Sequence, residues 1–530
     1  MLQTVRARRG MVTAPHHLAA RAGLRVLEDG GNAIEAMIAA ASTIAVVYPH
    51  MNGLGGDNFW LAHAPGRDVV GIDACGAAAG LADPDFYAAA GLHAIPTRGP
   101  LAALTVAGAV SGWQRAYELS RGHWGGKLPL ARLLEDARFY AEDGIGVTRT
   151  QAENTRTKRT ELADVPGFAE TYLVDGQPPR EGALFRQPRL AATLDHLARA
   201  GLDDFYRGDL ARSLTRDLEA AGTPLRLADL ERHQALDVQP LSLDVAGHQV
   251  FNMPPPTQGL ASLILLGVYA RLGVKEAEGF DFVHGLIEAT KRAFRVRDAH
   301  VTDPAYMSVD PASILTGAAL DAMAADVDRD RALVWPEPAK GGDTVWLGAI
   351  DGEGRAVSFI QSLYWEFGSG TVLAESGLVW QNRGTSFSLA QGHHNRLAPH
   401  RRPFHTIQPA LARLSDGRVM SYGTMGGEGQ PQTQAMVFAR HVLHGQGLQA
   451  AVTAPRWLLG RTWGAATAGL RIESRLDAAV IEKLRAAGHD LDVIGPFDEV
   501  MGHAGALVYH ADGLIEGAAD PRGDGQAAGY

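Results

Sequence analysis

Between Arg331 and Asp343 the chain changes character, and this break limits its architecture more than any other stretch. From about residue 110 to 330, apolar residues recur mostly at helical spacing. The break itself holds Pro336, Pro338, Gly341 and Gly342, the composition of an exposed connector. Directly after it, Thr344-Val-Trp-Leu-Gly-Ala-Ile350 predicts a strand, Asp351-Gly-Glu-Gly354 a hairpin turn, and Arg355-Ala-Val-Ser-Phe-Ile-Gln-Ser362 the returning strand. A turn centred between 352 and 353 pairs residues whose numbers sum to about 705. Thr344 then faces residue 361, and Ser362 lies within one register step of it.

Other elements follow from local chemistry. His16 to Leu27 predicts a helix that stops at Gly30-Gly31. Asn32 caps a second helix, running to about Val47, with Glu35 placed to reach back as in a capping box. Asn52-Gly-Leu-Gly-Gly-Asp57 is a tight turn feeding a strand over Phe59 to Ala64. Further helices are expected over Leu128 to Glu142, Arg189 to Ala200 and Phe282 to Ala299, with Pro254-Pro-Pro-Thr-Gln-Gly259 a stiff loop among them. Leu411 to Met420 is strand-like and precedes Ser421-Tyr-Gly-Thr-Met-Gly426-Gly427-Glu-Gly429.

Composition narrows the function. Hydrophobic residues make up 46% and charged residues 20%, ordinary globular usage. The formal net charge of −10 opposes nucleic-acid binding, which needs a basic face. The most apolar window, Ala36 to Val47, is too short to span a bilayer, and Met1 to Arg9 is not followed by an apolar stretch. The expectation is a cytoplasmic protein with no membrane partner. Cys75 is the only cysteine and reads as a small buried residue rather than a nucleophile. His16-His17 and His393-His394 are adjacent pairs, poorly spaced for one ion, so no metal is expected.

Two features carry chemistry. A threonine hydroxyl becomes an effective nucleophile when the threonine is the first residue of a chain, because its own α-amine serves as base. That amine has a pKa of roughly 7.7–8.0, suited to proton transfer near neutrality. The Asp343–Thr344 bond, beside two flexible glycines, is a candidate for attack by Thr344 itself; the alternative is that Thr344 merely opens a strand. Gly426 and Gly427 are candidates for backbone N–H groups converging on an oxyanion, or for a plain strand-to-helix turn.

Taken together, the motifs resemble the γ-glutamyltranspeptidase family over nearly the whole chain. The matching segments are Gly30-Gly-Asn-Ala-Ile-Glu-Ala36, Asn52 to Asp57, Pro254 to Gly259, the helix with Glu288, Lys291 and Asp298, Gly342-Asp-Thr344, Phe367-Gly-Ser-Gly370, Arg402-Pro403 and Gly426-Gly427. The resemblance implies an α+β fold, a four-layer αββα sandwich of the N-terminal-nucleophile hydrolases. It implies self-cleavage into two intertwined subunits, 1–343 and 344–530, with Thr344 as nucleophile and no cofactor. A dimer of such two-part protomers stays open. Ser362 falls where the family places a threonine bonded to the nucleophile, and Arg98 matches its carboxylate-binding arginine.

The departures bear on substrate. Tyr364 replaces a family asparagine, Arg383 and Ser386 replace a glutamine and an aspartate, and His405 and Thr406 replace paired serines. A cation gained and a carboxylate lost repel an α-ammonium; one unit-charge contact at about 4 Å is worth on the order of 4 kcal/mol at an effective dielectric near 20. The expected substrate is a small anionic amide without an α-amino group. Among family members the sequence is most like the branch that hydrolyses oxamate to oxalate and ammonia. γ-Glutamyl transfer or glutathione hydrolysis, and a glutaryl acylase activity of the cephalosporin-acylase kind, are the alternatives.

Overall fold

The computed structural model describes residues 3–335, 343–460 and 469–530. Gly341, Gly342 and most of the connector lie outside the described residues, as does the side chain of Asp343. Two seven-stranded sheets form the centre. In spatial order, one holds Val5–Ala7, Ile515–Ala519, Ala504–Tyr509, Val419–Thr424, Ala410–Arg413, His248–Asn252 and Leu241–Val245. The other holds Gln526–Gly529, Gly10–Ala14, Asp343–Asp351, Ala356–Tyr364, Asp57–His63, Val70–Ala74 and Leu236–Val238.

The sheets stack because the strands in the middle are apolar on both faces, which demands cover on both sides. Met11, Phe59, Leu61, Trp346, Ile350, Ile360, Leu411 and Leu507 fill the space between them. Outside the second sheet, His17–Glu28 and Ala33–Val47 form one helical layer. Outside the first, Gly259–Arg271, Phe280–His300 and Gly429–Phe438 form the other. The result is four layers, αββα. No helix among the described residues is long and apolar enough to cross a membrane.

Several local expectations stand in the structure as the sequence reads. Asn32 and Glu35 form a full capping box ahead of Ala33–Val47. The helices Pro188–Ala200 and Phe280–His300 begin one or two residues before the expected starts. Three expectations need correction. Leu128 to Glu142 is not one helix but two, Leu130–Leu133 and Glu135–Asp143, meeting at Leu134. Leu411 to Met420 is not one strand but a hairpin, Ala410–Arg413 and Val419–Thr424, turned at Gly417 with φ of +88°. The middle of the chain also contributes three strands to the central sheets, Leu236–Val238, Leu241–Val245 and His248–Asn252.

Candidate active site

The Asp343–Asp351 and Ala356–Tyr364 strands pair antiparallel, with Val345 opposite Gln361 and Ile350 opposite Ala356. The register shifts between Asp343 and Val345, so that Asp343 faces Tyr364. Thr344 therefore sits in a bulge, the kind of irregularity that re-aims a side chain at the end of a sheet. Its hydroxyl donates to Ser362 Oγ at 3.3 Å and accepts from Gln430 Nε2 at 3.4 Å. Ser362 Oγ also accepts from the Tyr364 backbone N–H at 2.8 Å. Both hydroxyl residues are buried.

Gln430 was not singled out from sequence. Its Oε1 accepts from the Gln408 backbone N–H at 3.1 Å, which turns its NH2 group toward Thr344. Just before it, Gly426 and Gly427 adopt φ of +115° and +52°, conformations that suit residues without a Cβ. The Gly427 carbonyl accepts from Gln258 Nε2 at 2.8 Å, and the same NH2 group donates to the Thr406 carbonyl at 2.6 Å. Gln258 Oε1 accepts from Arg297, which in turn pairs with Glu428 at 2.8 Å. This brace fixes the glycine turn against residues 405 and 406.

Tyr364 ends its strand with φ of +84°, a strained state for a bulky side chain. Its ring underlies Arg383, whose guanidinium carbon is 3.8 Å from the ring centroid. Arg383 opens a short 3-10 turn, Arg383–Ser386, and is 1% exposed. Its Nη1 donates to Thr406 Oγ1 at 3.2 Å, while Nε and Nη2 are buried without a hydrogen-bond partner among the described residues. Burial pulls this guanidinium down to about 10, still fully charged at neutrality. The Ser386 hydroxyl is also buried and unpartnered.

His405 is fully buried, its Nε2 3.0 Å from Cys75 Sγ and 3.3 Å from Asp57 Oδ2. Burial and the nearby Arg383 and Arg402 hold this imidazole well below its ordinary range, so it is neutral at neutral pH. Asp57 and Cys75 were not expected at the site. They reach it from the head of one strand and the end of the next, distances along the chain that no local pattern reveals. Arg98 is engaged elsewhere than with Arg383. Its guanidinium donates to the Glu366 and Gly368 carbonyls at 2.7 and 2.5 Å and to Glu161 at 2.8 Å, bracing the loop after Tyr364.

This arrangement can hold a hydroxyl nucleophile in place and present a charged fork to an anion. Comparison with known proteins gives it a family. The model of the family described as "Gamma-glutamyltranspeptidase" matches residues 19–530. The chain belongs to the γ-glutamyltranspeptidase family. It is 55% identical over 521 residues, 98% of each chain, to "Oxamate amidohydrolase proenzyme" of Klebsiella pneumoniae. It is 39% identical to "Glutathione hydrolase-like YwrD proenzyme" of Bacillus subtilis, with both chains fully covered. The crystal structure of cephalosporin acylase from Bacillus halodurans superposes with a TM-score of 0.92 at 33% identity, covering 100% of this chain and 97% of that one. Like these relatives, this member of the γ-glutamyltranspeptidase family is a C–N hydrolase with the N-terminal-nucleophile αββα fold.

Proposed function

We propose that the chain is a self-cleaving amidohydrolase that uses Thr344 as N-terminal nucleophile to convert oxamate to oxalate and ammonia. The observation that carries the substrate is Arg383: a buried guanidinium whose Nε and Nη2 have no partner among the described residues is a fork of the shape a carboxylate fills bidentately. The likeness to the Klebsiella oxamate amidohydrolase supports the same reading. Cleavage of the Asp343–Thr344 bond frees the Thr344 amine and divides the chain into 1–343 and 344–530.

In this mechanism the Thr344 hydroxyl attacks the carboxamide carbon and its proton passes to the α-amine. The N–H groups of Gly426 and Gly427 receive the oxyanion. Collapse expels ammonia, which takes the proton from the amine, and leaves an oxalyl ester on Thr344. Water, deprotonated by the same amine, hydrolyses that ester. Ser362 and Gln430 hold the attacking oxygen throughout. Arg383 and Thr406 orient the acid, and neutral His405 shapes the wall beside them. Arg98 acts at one remove, through the loop it braces. A cytoplasmic location accords with a chain whose only cysteine is unpaired.

An ammonia-release assay across oxamate, glutamine, glutathione and glutaryl amides tests the substrate. Oxamate should be the best of them by a wide margin. Preference for glutathione would overturn the assignment of Arg383, because an α-ammonium placed there meets a cation. Thr344→Ala should remain a single inactive chain, and normal cleavage of that variant would remove Thr344 as the nucleophile.

A further inference from the structure

Asp57, Cys75 and His405 bring a carboxylate oxygen, a thiol sulfur and an imidazole nitrogen within 4.8 Å of one another, all buried. The contacts are already committed in a telling way. Oδ1 of Asp57 accepts three hydrogen bonds, from the Gly76 and Gly108 N–H groups at 3.0 and 2.9 Å and from Gln381 Nε2 at 3.0 Å. Oδ2 has none. It lies 3.3 Å from His405 Nε2, without the alignment of a hydrogen bond, and that same nitrogen lies 3.0 Å from Cys75 Sγ.

A cysteine-nucleophile triad is excluded by this geometry. There the acid orients the imidazole from the nitrogen opposite the thiol, whereas here sulfur and carboxylate share one nitrogen and His405 Nδ1 has no partner among the described residues. Burial, with Asp73, Asp57 and Asp303 nearby, also pushes the Cys75 thiol well up, the reverse of an activated nucleophile. What remains is three buried donor atoms of different softness within 4.8 Å of one another.

We propose that Asp57 Oδ2, Cys75 Sγ and His405 Nε2 form a binding site for a thiophilic divalent cation, Zn2+ being the natural probe, and that its occupancy shuts down the neighbouring Thr344 site. Bond lengths of roughly 2.3 Å to sulfur and 2.0 Å to nitrogen or oxygen set tetrahedral donor atoms about 3.3–3.5 Å apart. The nitrogen–oxygen separation already fits; the sulfur–nitrogen separation opens by about half an ångström. On binding, Cys75 loses its proton to solvent, as does Asp57 wherever its carboxyl is still protonated, and thiolate plus carboxylate then balance the dication. A cleft of about 180 Å3 has Cys75, Asp73, Arg402 and His400 in its lining and is the route by which a cation, with a water as its fourth ligand, would enter. The Arg402 charge facing that cleft is balanced by Asp73 at 2.8 Å and Asp303 at 3.3 Å. Arg383 is the opposing cation.

A second group at similar spacing, His284, Glu288 and His489, lacks this capacity. Glu288 is already neutralised by Lys291 and Arg292, and His284 Nδ1 is bonded to His489 Nε2 at 2.8 Å. At the first site the metal would act on the enzyme through His405. The ring must shift toward its new ligand position, and it carries with it Thr406, a hydrogen-bond partner of the Arg383 guanidinium.

The test uses the purified full chain, stripped with chelator and dialysed against Zn2+, with metal content and amide hydrolysis both measured. Wild type should retain stoichiometric zinc and lose activity relative to its own metal-free rate. Cys75→Ala and the shape-preserving Cys75→Ser should lose that zinc and most of the inhibition. Equal zinc content and equal inhibition in all three proteins would overturn the proposal. Co2+ bound to wild type should show the near-ultraviolet charge-transfer band of a thiolate ligand, and bound cobalt without that band would overturn it with no variant needed. Metal content and the cobalt band are read without substrate, so a wrong substrate assignment leaves the outcome legible.

Discussion

Arg383 carries more of the functional argument than any residue except Thr344. A carboxylate on its Nε and Nη2 makes two charge-assisted hydrogen bonds, each worth roughly 1.5–3 kcal/mol. Arg383→Gln should therefore lower kcat/KM for oxamate by about 100-fold or more, and Arg383→Lys should recover only part, since a point charge lacks the fork. Neutral oxamide should be a poor substrate of wild type and barely change. Equal losses on both amides would mean that Arg383 supports the fold rather than the acid. Ser362→Ala should cost about 10- to 100-fold in turnover, one hydrogen bond to the nucleophile, with Ser362→Thr retaining most of it. The juxtaposition of Thr344 and Ser362 is legible in the sequence because a hairpin is a local device: turn position sets the partners to within one residue, and Gln361 stands opposite Val345 rather than Thr344. The bulge that completes it is not, and it moves Asp343 opposite Tyr364. Gln430 meets Thr344 across 86 residues, and Asp57 meets His405 across most of the chain, contacts set only by the tertiary packing.

The Phe280–His300 helix does more than cover a sheet. His284, Glu288, Lys291 and Arg292 follow one face at helical spacing and grip the start of the connector and the chain just before it. Glu288 Oε1 accepts from the Leu333 N–H at 3.1 Å and Lys291 Nζ donates to the Leu333 carbonyl at 2.6 Å, so both backbone groups of one residue are held. His284 Nε2 lies 2.9 Å from the Asp328 carbonyl, and Arg292 reaches that of Asp326. Removing one partner of a buried ion pair typically costs about 3–5 kcal/mol. Lys291→Met should loosen residues 326–335, slow conversion of precursor by about 10-fold or more, and admit limited proteolysis there. Unchanged maturation and an unchanged proteolytic pattern would reduce the cluster to a packing role. This motif stands out in the sequence, but its purpose does not, because its partner is backbone and backbone has no signature. The three strands between Leu236 and Asn252 show the opposite case. Leu241-Ser-Leu-Asp-Val245 alternates as a strand should, and its alternate exposure shows in the structure, yet the helical periods on either side dominate the reading.

At the scale of the molecule, both sheets mix strands from before and after Thr344, so cleavage should leave one particle. Denaturing gels should show two fragments where size exclusion shows a single species. The same interweaving places Asp57 where it joins the halves: its Oδ1 takes Gly76 and Gly108 from one and Gln381 from the other. Burial raises this carboxyl to about 7. An unfolded aspartate titrates near 3.9, so between about pH 4 and 7 the folded chain holds a proton that the unfolded chain has released. Stability from this group is then fully present below the unfolded value and is lost as pH rises through the folded one. The whole shift corresponds to about 4 kcal/mol. Asp57→Asn keeps an acceptor for the three donors but cannot ionise. Denaturation should be compared in a Thr344→Ala background, where unfolding is not coupled to fragment dissociation, and with chelator present so that no cation occupies Asp57. The stability of Asp57→Asn relative to its parent should rise steadily from about pH 4 to pH 7 and level off above. Parallel curves across that window would mean that Asp57 is ionised throughout, held down by its three donors and Arg383 more strongly than burial raises it.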